Sequence, residues 1–379
     1  MVVLLTAALI SAHALPGLAD PAEDVLAGVT AGGAVLWEPD SDTVLVDREA
    51  RAGRPMASTT KVMTVLLALE AGAADDDVVV SPEAAEIGRV PGGATLGLSE
   101  GRMVPMRSLL AGLVLRSGND AAVAVADHLA GGEDAFVAAM NERAAELGLE
   151  ATTFLNSSGL IDDPAHEASP LDLARLASAA MAHEDFARWA GAAEATIDGL
   201  GTIVNRNELL GDYRGATGVK TGFTSLAGLC LIASATRGDR TLYAVVLDSE
   251  ESFADAAALL DHGFDDYRPV DPPTEVAYAW ADAEVTVRAD RPAVPPVLAD
   301  SDVVERLTLV PARERPLPEG AVLGESVLLV DGTEVDRSPL LAGAGVPARP
   351  RLDADAEAGA ALHEGLRGLL RIRPLDYDA

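Results

Sequence analysis

Lysine is almost missing from this sequence. The chain has 379 residues and 28 lysines and arginines together, yet lysine occurs only at Lys61 and Lys220. Arginine therefore supplies nearly all of the ordinary positive surface charge. The two lysines are either chance survivors or sites that need a property arginine lacks. A buried ammonium group can lose its proton near neutral pH, whereas a guanidinium group effectively cannot, so the second interpretation indicates a general base.

The sequence also has few cysteines and far fewer basic than acidic residues. Cys230 is the only cysteine, which excludes an intrachain disulfide, and in "GLCLIAS" we expect it to pack as a small hydrophobic residue. The chain carries 60 acidic residues and a formal net charge of −32, so we expect no nucleic-acid partner. This acidity suits either a high-salt environment or high solubility. The six histidines are scattered and match neither a serine-hydrolase nor a zinc-ligand spacing.

Length and composition predict a folded protein with two domains. An apolar fraction of 49% is typical of globular proteins, and internal repeats and long low-complexity segments are absent from the sequence. The pattern changes after Tyr267, where prolines cluster and short alternating runs follow. Asp331-Gly332, between two such runs, is a hairpin signal. We therefore predict a first domain over 20–268 and a separate small β domain over 275–350.

Both ends of the chain have patterns of targeting or membrane-contacting segments. Residues 1–19 are apolar and end in small residues, which is typical of a signal peptide cleaved after Ala19, although the usual positive start is missing. A buried first helix is the alternative; the first interpretation favours export to the cell envelope. Residues 357–379 predict an amphipathic tail. Over 357–373, one helical face carries Leu362, Leu366, Leu369 and Leu370, and Arg367, Arg371 and Arg373 lie nearby. This segment either lies on an anionic membrane surface or packs on its own domain.

Periodicity within the first domain predicts helices together with antiparallel strands. The strand signals are a hairpin over 32–49 and two apolar runs, "LCLIASAT" and "TLYAVVLD", joined by a turn at Arg237-Gly238-Asp239. Helical patterns cover 105–149, broken at "RSGND", and 169–182. A further helical pattern at 253–264 is expected to pack on the sheet.

The stretch "MASTTKVMT", residues 56 to 64, places one of the two lysines three residues after a serine. The helical pattern that follows stops at Gly72, so Ser58 is predicted near a helix N-terminus, where backbone N–H groups favour developing negative charge. The i, i+3 spacing puts Ser58 and Lys61 on one face. A serine hydroxyl needs a neighbour that accepts its proton, and Lys61 can do so if burial or a second cation, such as Lys220, lowers its pKa.

Three short elements in order give the chain a resemblance to a known family. Ser58-Thr59-Thr60-Lys61 is followed by Ser117-Gly118-Asn119 and then by Lys220-Thr221-Gly222. Ser-x-x-Lys alone is a weak signal, but the set resembles the penicillin-recognising serine enzymes. The contexts "LRSGNDAAVAVAD" and "GVKTGFTSLAGLCLIASA" look like serine D-alanyl-D-alanine carboxypeptidases, the low-molecular-mass penicillin-binding proteins. The resemblance covers roughly residues 25 to 350.

This resemblance implies an α+β fold and an activity on the cell wall. The implied fold is a β-lactamase/transpeptidase-like catalytic domain over 20–268, with an antiparallel sheet flanked by helices and an all-helical lobe, followed by the small β domain over 275–350. The implied reaction removes the terminal D-alanine from peptidoglycan stem peptides. β-Lactam antibiotics are implied inhibitors, and no metal or cofactor is expected.

The resemblance also implies roles for individual residues. Ser58 attacks the carbonyl between two D-alanines, Lys61 is the general base, and Ser117 relays a proton to the leaving amine. The N–H groups of Ser58 and Phe223 form the oxyanion hole. The implied substrate-binding residues are Asn119, Lys220, Thr221, Gly222, Phe223 and Thr224.

Two departures from the family pattern keep alternatives open. Family members often carry an arginine where this chain has Ser252, so the substrate carboxylate would need another partner. A class A β-lactamase shares the three elements but needs a deacylating glutamate in a Glu-x-x-Leu-Asn context, and Thr152 takes that position here. A penicillin-binding scaffold without activity is the other alternative. Against it stands the retention of Ser58, Lys61, Ser117 and Lys220.

Overall fold

The computed structural model describes residues 21–270, 275–280, 283–291, 293–310 and 316–346. The predicted signal peptide at 1–19 and the predicted tail at 357–379 lie outside these residues. The chain divides into two compact units. The larger unit includes the residues up to Val270 and a later segment that ends at Ser301. The smaller unit includes the residues between Val270 and that segment, and those from Asp302 onwards.

The larger unit contains the helices. They are α1 Pro21–Gly28, α2 Lys61–Glu70, α3 Pro82–Ile87, α4 Met106–Leu115, α5 Asn119–Ala130, α6 Glu133–Glu146, α7 Pro170–Met181, α8 Glu184–Ala190 and α9 Ser252–Asp265. A 3₁₀ turn over Ala57–Thr60 precedes α2. The start of α7 is encoded locally, because Ser169 Oγ accepts a hydrogen bond from the Asp172 N–H at 3.1 Å and Pro170 takes the first helical position. Among the helices described, none is both long and apolar enough to cross a membrane.

Most strands pair antiparallel with a neighbour in sequence. The strands are β1 Gly33–Glu38, β2 Thr43–Arg48, β3 Arg54–Pro55, β4 Asp77–Val79, β5 Met103–Pro105, β6 Glu167–Ala168, β7 Glu194–Ile197, β8 Gly201–Val204, β9 Ala216–Thr224, β10 Gly228–Arg237, β11 Arg240–Ser249, β12 Tyr267–Arg268, β13 Val276–Trp280, β14 Ala283–Ala289, β15 Val297–Leu298, β16 Val303–Leu309, β17 Val322–Val330 and β18 Thr333–Ala342. The main sheet has the order β2-β1-β11-β10-β9. The predicted hairpins over 32–49 and around Gly238 are therefore confirmed.

Alternation along the central strands separates two cores. Leu36 of β1 and Val246 of β11 pack on one face of the sheet with Leu260 of α9. Val35 and Val245, one residue away along the same strands, pack on the opposite face, in a cluster that includes residues of α2, α4, α5 and α7. Successive strand residues point to opposite faces, so a sheet covered by helices on both sides needs such continuous apolar strands. The α+β fold with helices flanking an antiparallel sheet is confirmed.

The second unit is a small antiparallel β domain, as predicted. Its sheet has the order β13-β14-β18-β17-β16, and its core includes Trp280, Val287 and Leu323. The turn between β17 and β18 is the predicted Asp331-Gly332, and both residues have positive φ, as a two-residue hairpin turn requires. The predicted range 275–350 includes β15, whereas the structure pairs β15 with β12 of the larger unit.

Candidate active site

The nucleophile candidate lies in the 3₁₀ turn that leads into α2. Lys61 Nζ lies 2.8 Å from Ser58 Oγ, as the i, i+3 spacing predicted. The serine is partly exposed, whereas Lys61 is only 1% exposed. Ala57, directly before the serine, has a φ of 48°, which is unusual for a residue with a side chain. The serine is therefore accessible from solvent while its partner amine is held inside the protein.

The contacts of Lys61 Nζ are compatible with the neutral form that a general base requires. Besides Ser58, its Nζ contacts Asn119 Oδ1 at 2.8 Å and the carbonyl oxygen of Ser158, and both oxygens can only accept. A neutral amine has two N–H groups and one lone pair. In that form the two N–H groups would satisfy the two carbonyl oxygens and the lone pair would face the hydroxyl of Ser58, whereas a charged ammonium would donate to all three oxygens.

The surroundings of Lys61 favour that neutral form. Burial lowers its pKa well below the usual lysine value, and the positive charges of Lys220 and then Arg206 lower it further, while Asp120 acts in the opposite direction. Removing a charged ammonium from water is costly, and a second nearby cation adds repulsion. The interpretation that Lys220 supplies the cation that activates Lys61 agrees with this arrangement.

Ser117 follows the end of α4 in a backbone conformation that few non-glycine residues adopt. Its φ is 66°, its side chain is buried, and its Oγ has no hydrogen-bond partner among the described residues. Buried hydroxyl groups are nearly always bonded in folded proteins. This unpaired hydroxyl lies two residues before Asn119, which contacts the candidate base, and it is available to bond a substrate atom, as the proposed proton relay requires.

Lys220 lies on β9, the edge strand of the main sheet. Its side chain is buried, and Nζ donates to the carbonyl of Thr221 at 2.9 Å, which leaves further donor capacity for an anion. Burial, followed by the charge of Arg206, lowers its pKa to about 7. A bound carboxylate would favour the charged form, so this lysine is suited to hold a substrate carboxylate.

The glycine of the third element lies against the nucleophile. A Cβ atom at Gly222 would meet Ser58 N at 3.1 Å and the Met56 carbonyl oxygen at 3.2 Å. The backbone around Ser58 therefore lies directly against this glycine. Phe223, next on the strand, is 64% exposed. Thr224 is buried, and its Oγ1 accepts from the Ala227 N–H at 3.0 Å in the turn to β10. The predicted substrate contacts of Thr221, Gly222, Phe223 and Thr224 remain predictions.

Several groups around the site had no signal in the three motifs. The carbonyl of Ser158 contacts Lys61, and a backbone oxygen leaves no mark on residue type. Asp120, fully buried, accepts from the N–H groups of Leu96 and Leu98 and so fixes a loop whose Ala94 carbonyl accepts from the Asn119 N–H at 2.8 Å. Its position directly after Asn119 was the available clue.

The two sequence departures are visible in the structure. Ser252 is buried at the first position of α9. Thr152, at the position of the β-lactamase glutamate, donates from Oγ1 to Asp172 Oδ2 at 2.8 Å. The Thr152 hydroxyl therefore bonds at the beginning of α7, and neither Ser252 nor Thr152 supplies the charged side chain of the pattern from which it departs.

Fold and site together place a partly exposed serine beside a buried lysine, an arrangement that suits serine acyl transfer with a lysine as base. The family model described as D-alanyl-D-alanine carboxypeptidase matches residues 20–251, and the chain belongs to this family. The carboxypeptidase DacF of Bacillus subtilis is 36% identical over 246 residues, which are 62% of each chain. DacC of Escherichia coli is 31% identical over 330 residues, 81% of this chain and 82% of its own.

A solved structure extends the similarity to the fold. Penicillin binding protein 5 from Haemophilus influenzae matches 84% of this chain and 98% of its own, with 27% identity and a TM-score of 0.68. The resemblance found in the three motifs is thereby confirmed. The aligned region spans less than two thirds of the Bacillus relative.

Proposed function

We propose that this chain is a serine-type D-alanyl-D-alanine carboxypeptidase that removes the terminal D-alanine from peptidoglycan stem peptides. One observation carries the proposal: Lys61 Nζ lies 2.8 Å from Ser58 Oγ and also contacts two carbonyl oxygens, so that in the neutral form its lone pair would face the serine. The family to which the chain belongs supplies the substrate class. Binding of β-lactams, which acylate the same serine, follows from the same proposal.

The proposed reaction proceeds through an acyl-enzyme. Ser58 Oγ attacks the penultimate D-alanine carbonyl as its proton passes to Lys61 Nζ, and backbone N–H groups stabilise the oxyanion. The proton then reaches the leaving amine through Ser117, the C–N bond breaks, and D-alanine departs. Water attacks the ester, its proton passes to Lys61, and Ser58 regains a hydrogen as the acid is released. Lys220 holds the terminal carboxylate.

The first test is the intact mass of the protein after brief incubation with benzylpenicillin. We expect a penicilloyl adduct on wild type and none on Ser58→Ala, because the serine oxygen forms the ester. Ser99→Ala, which alters an exposed serine of the same unit, is the control and should be acylated like wild type.

The possible outcomes separate the alternatives. A stable adduct on wild type supports the carboxypeptidase, since a β-lactamase would release the drug rapidly. Consumption of the drug without an adduct would support the β-lactamase instead. Neither adduct nor consumption would indicate a scaffold without activity, and an adduct on Ser58→Ala would show that another residue is the nucleophile.

Export and peripheral membrane contact are further parts of the proposal. Membership of a family of extracytoplasmic cell-wall enzymes supports export, together with the sequence of residues 1–19. The amphipathic pattern of 357–373 supports contact with an anionic membrane surface.

Removal of residues 357–379 is expected to abolish cosedimentation with anionic phospholipid vesicles, because the apolar and basic side chains of the tail would be lost. A full-length variant with Arg367, Arg371 and Arg373 changed to glutamine should bind more weakly and with less dependence on salt. Full-length protein and vesicles without anionic lipid are the controls. Sedimentation of the truncated chain at the full-length level would contradict the anchor.

A further inference from the structure

A buried histidine that the proposed reaction does not use connects two segments of the active site. His166 is 2% exposed. Its Nδ1 lies 2.9 Å from the N–H of Leu155, and its Nε2 lies 2.7 Å from Thr60 Oγ1. Thr60 Oγ1 in turn donates to the carbonyl oxygen of Ala57 at 2.7 Å.

These contacts assign the tautomer of the imidazole. The Leu155 N–H can only donate, so Nδ1 must be the unprotonated, accepting nitrogen. Nε2 then carries the hydrogen and donates to Thr60 Oγ1, whose own hydrogen points to Ala57. The result is one directed series of hydrogen bonds, from Leu155 N–H through the ring and the hydroxyl to the Ala57 carbonyl. In a protonated ring Nδ1 would also carry a hydrogen, which would point at the hydrogen of the Leu155 N–H and break this hydrogen bond.

The environment keeps the ring neutral. Burial is the main cause that lowers the pKa of His166 to about 4; positive charge on Lys61, when it is protonated, acts in the same direction, and Asp163 acts in the opposite one. Phe154 contacts the ring edge-on, with 6.2 Å between ring centroids. The neutral tautomer that the contacts require is therefore the form present at neutral pH.

Both ends of the series lie directly beside catalytic groups. Ala57 precedes the nucleophile and has a positive φ, so its peptide orientation needs support from outside the turn. Leu155 enters the loop whose Ser158 carbonyl contacts the amine of Lys61. Gly159 of this loop has a positive φ and lies so close to the Ala57 carbonyl that any Cβ would collide with it.

We propose that His166 is a positioning residue for acylation of Ser58. Through Thr60 it fixes the peptide before the nucleophile, and through Leu155 it fixes the loop that orients the base, so both reacting groups share one support. It does not touch the reacting atoms. The inference rests on the proposed function, because it concerns the same acylation step.

The test compares acylation by benzylpenicillin in three variants, with the rate of acylation and the binding constant measured separately. His166→Phe removes both hydrogen bonds, and we expect the acylation rate to fall about 100-fold with little change in binding, since small displacements of reacting groups are costly. His166→Gln retains an acceptor and a donor and should recover most of the loss. The control is His262→Phe, which removes a buried imidazole on α9, a helix whose Leu260 packs in the other core, and this variant should acylate at the wild-type rate.

A double-mutant cycle checks the path through the hydroxyl. Thr60→Val and His166→Phe should each slow acylation, and their combination should cost little more than either alone, because both break one series. Thr60→Ser keeps the hydroxyl and should retain the rate. Thermal unfolding of every variant separates loss of folded protein from loss of rate.

The outcomes distinguish the inference from the proposed function. His166→Phe acylated at the wild-type rate, or fully additive effects in the cycle, would overturn the positioning role while Ser58 acylation stands. A loss in His166→Phe matched by His262→Phe would also overturn it. Wild type that forms no adduct would overturn the proposed function, and the positioning role with it.

Discussion

Lys61→Arg is expected to slow acylation of Ser58 by benzylpenicillin by about 10³-fold or more, because loss of a general base removes most of the assistance to proton transfer. Arginine keeps its proton at every accessible pH, so no lone pair would face the serine. Acylation is followed by intact mass. Thermal unfolding confirms that the variant is folded, since Lys61 is buried.

Lys220→Arg is the matched comparison, because it makes the same chemical change at the only other lysine. This position needs a positive charge for the substrate carboxylate and not a proton acceptor, so the loss should be clearly smaller than for Lys61→Arg. Equal losses at both positions would indicate that charge or shape is what matters. Retained turnover in Lys61→Arg would remove Lys61 from the role of base.

Gly159→Ala is expected to lower the free energy of unfolding more than any other glycine-to-alanine substitution near the site. A Cβ at Gly159 would lie 1.9 Å from the Ala57 carbonyl oxygen and 2.7 Å from Thr60 Oγ1, and the φ of 72° adds strain. We expect about 2–5 kcal/mol lower free energy of unfolding, from the strained φ and the overpacking together. Acylation of the remaining folded protein should also fall sharply, because the chain before Ser58 must move.

Gly148→Ala is the matched control in the same unit. Gly148 has a φ of 69° but no neighbouring atom within 4 Å of a built Cβ, so only the conformational cost of about 1–2 kcal/mol applies. Chemical denaturation measures both variants, and benzylpenicillin measures their acylation. Equal losses at the two glycines would show that the loop relaxes and that the contact with Ala57 is not tight. Wild-type acylation in Gly159→Ala would show that this contact does not position the nucleophile.

The local elements of the fold were predictable because nearby residues form them. The hairpin over 32–49 and the hairpin at Asp331-Gly332 follow from alternation and turn residues, and the start of α7 follows from Ser169 and Pro170. The return of β15 to pair with β12 was not predictable. Two-residue strands carry too little pattern, and their pairing depends on packing far along the chain.

Residue type and short spacing were enough to identify the family and the candidate reacting pair. Three motifs in order indicated the family, and the i, i+3 spacing of Ser58 and Lys61 requires their contact once a helical turn forms. The scarcity of lysine pointed to the same two positions. These features depend only on residue type and short spacing, both of which can be read from the sequence without a structure.

The surroundings of this candidate pair depend on tertiary packing. Lys61 Nζ contacts oxygens of Asn119 and Ser158, which lie 58 and 97 positions further along the chain, and the Ser158 oxygen is a backbone carbonyl. His166 contacts Thr60 across 106 positions, and nothing in its sequence context marked it as part of the site. The lowered pKa of Lys61 depends on burial and on Lys220, both of which arise only when distant segments pack together and exclude water.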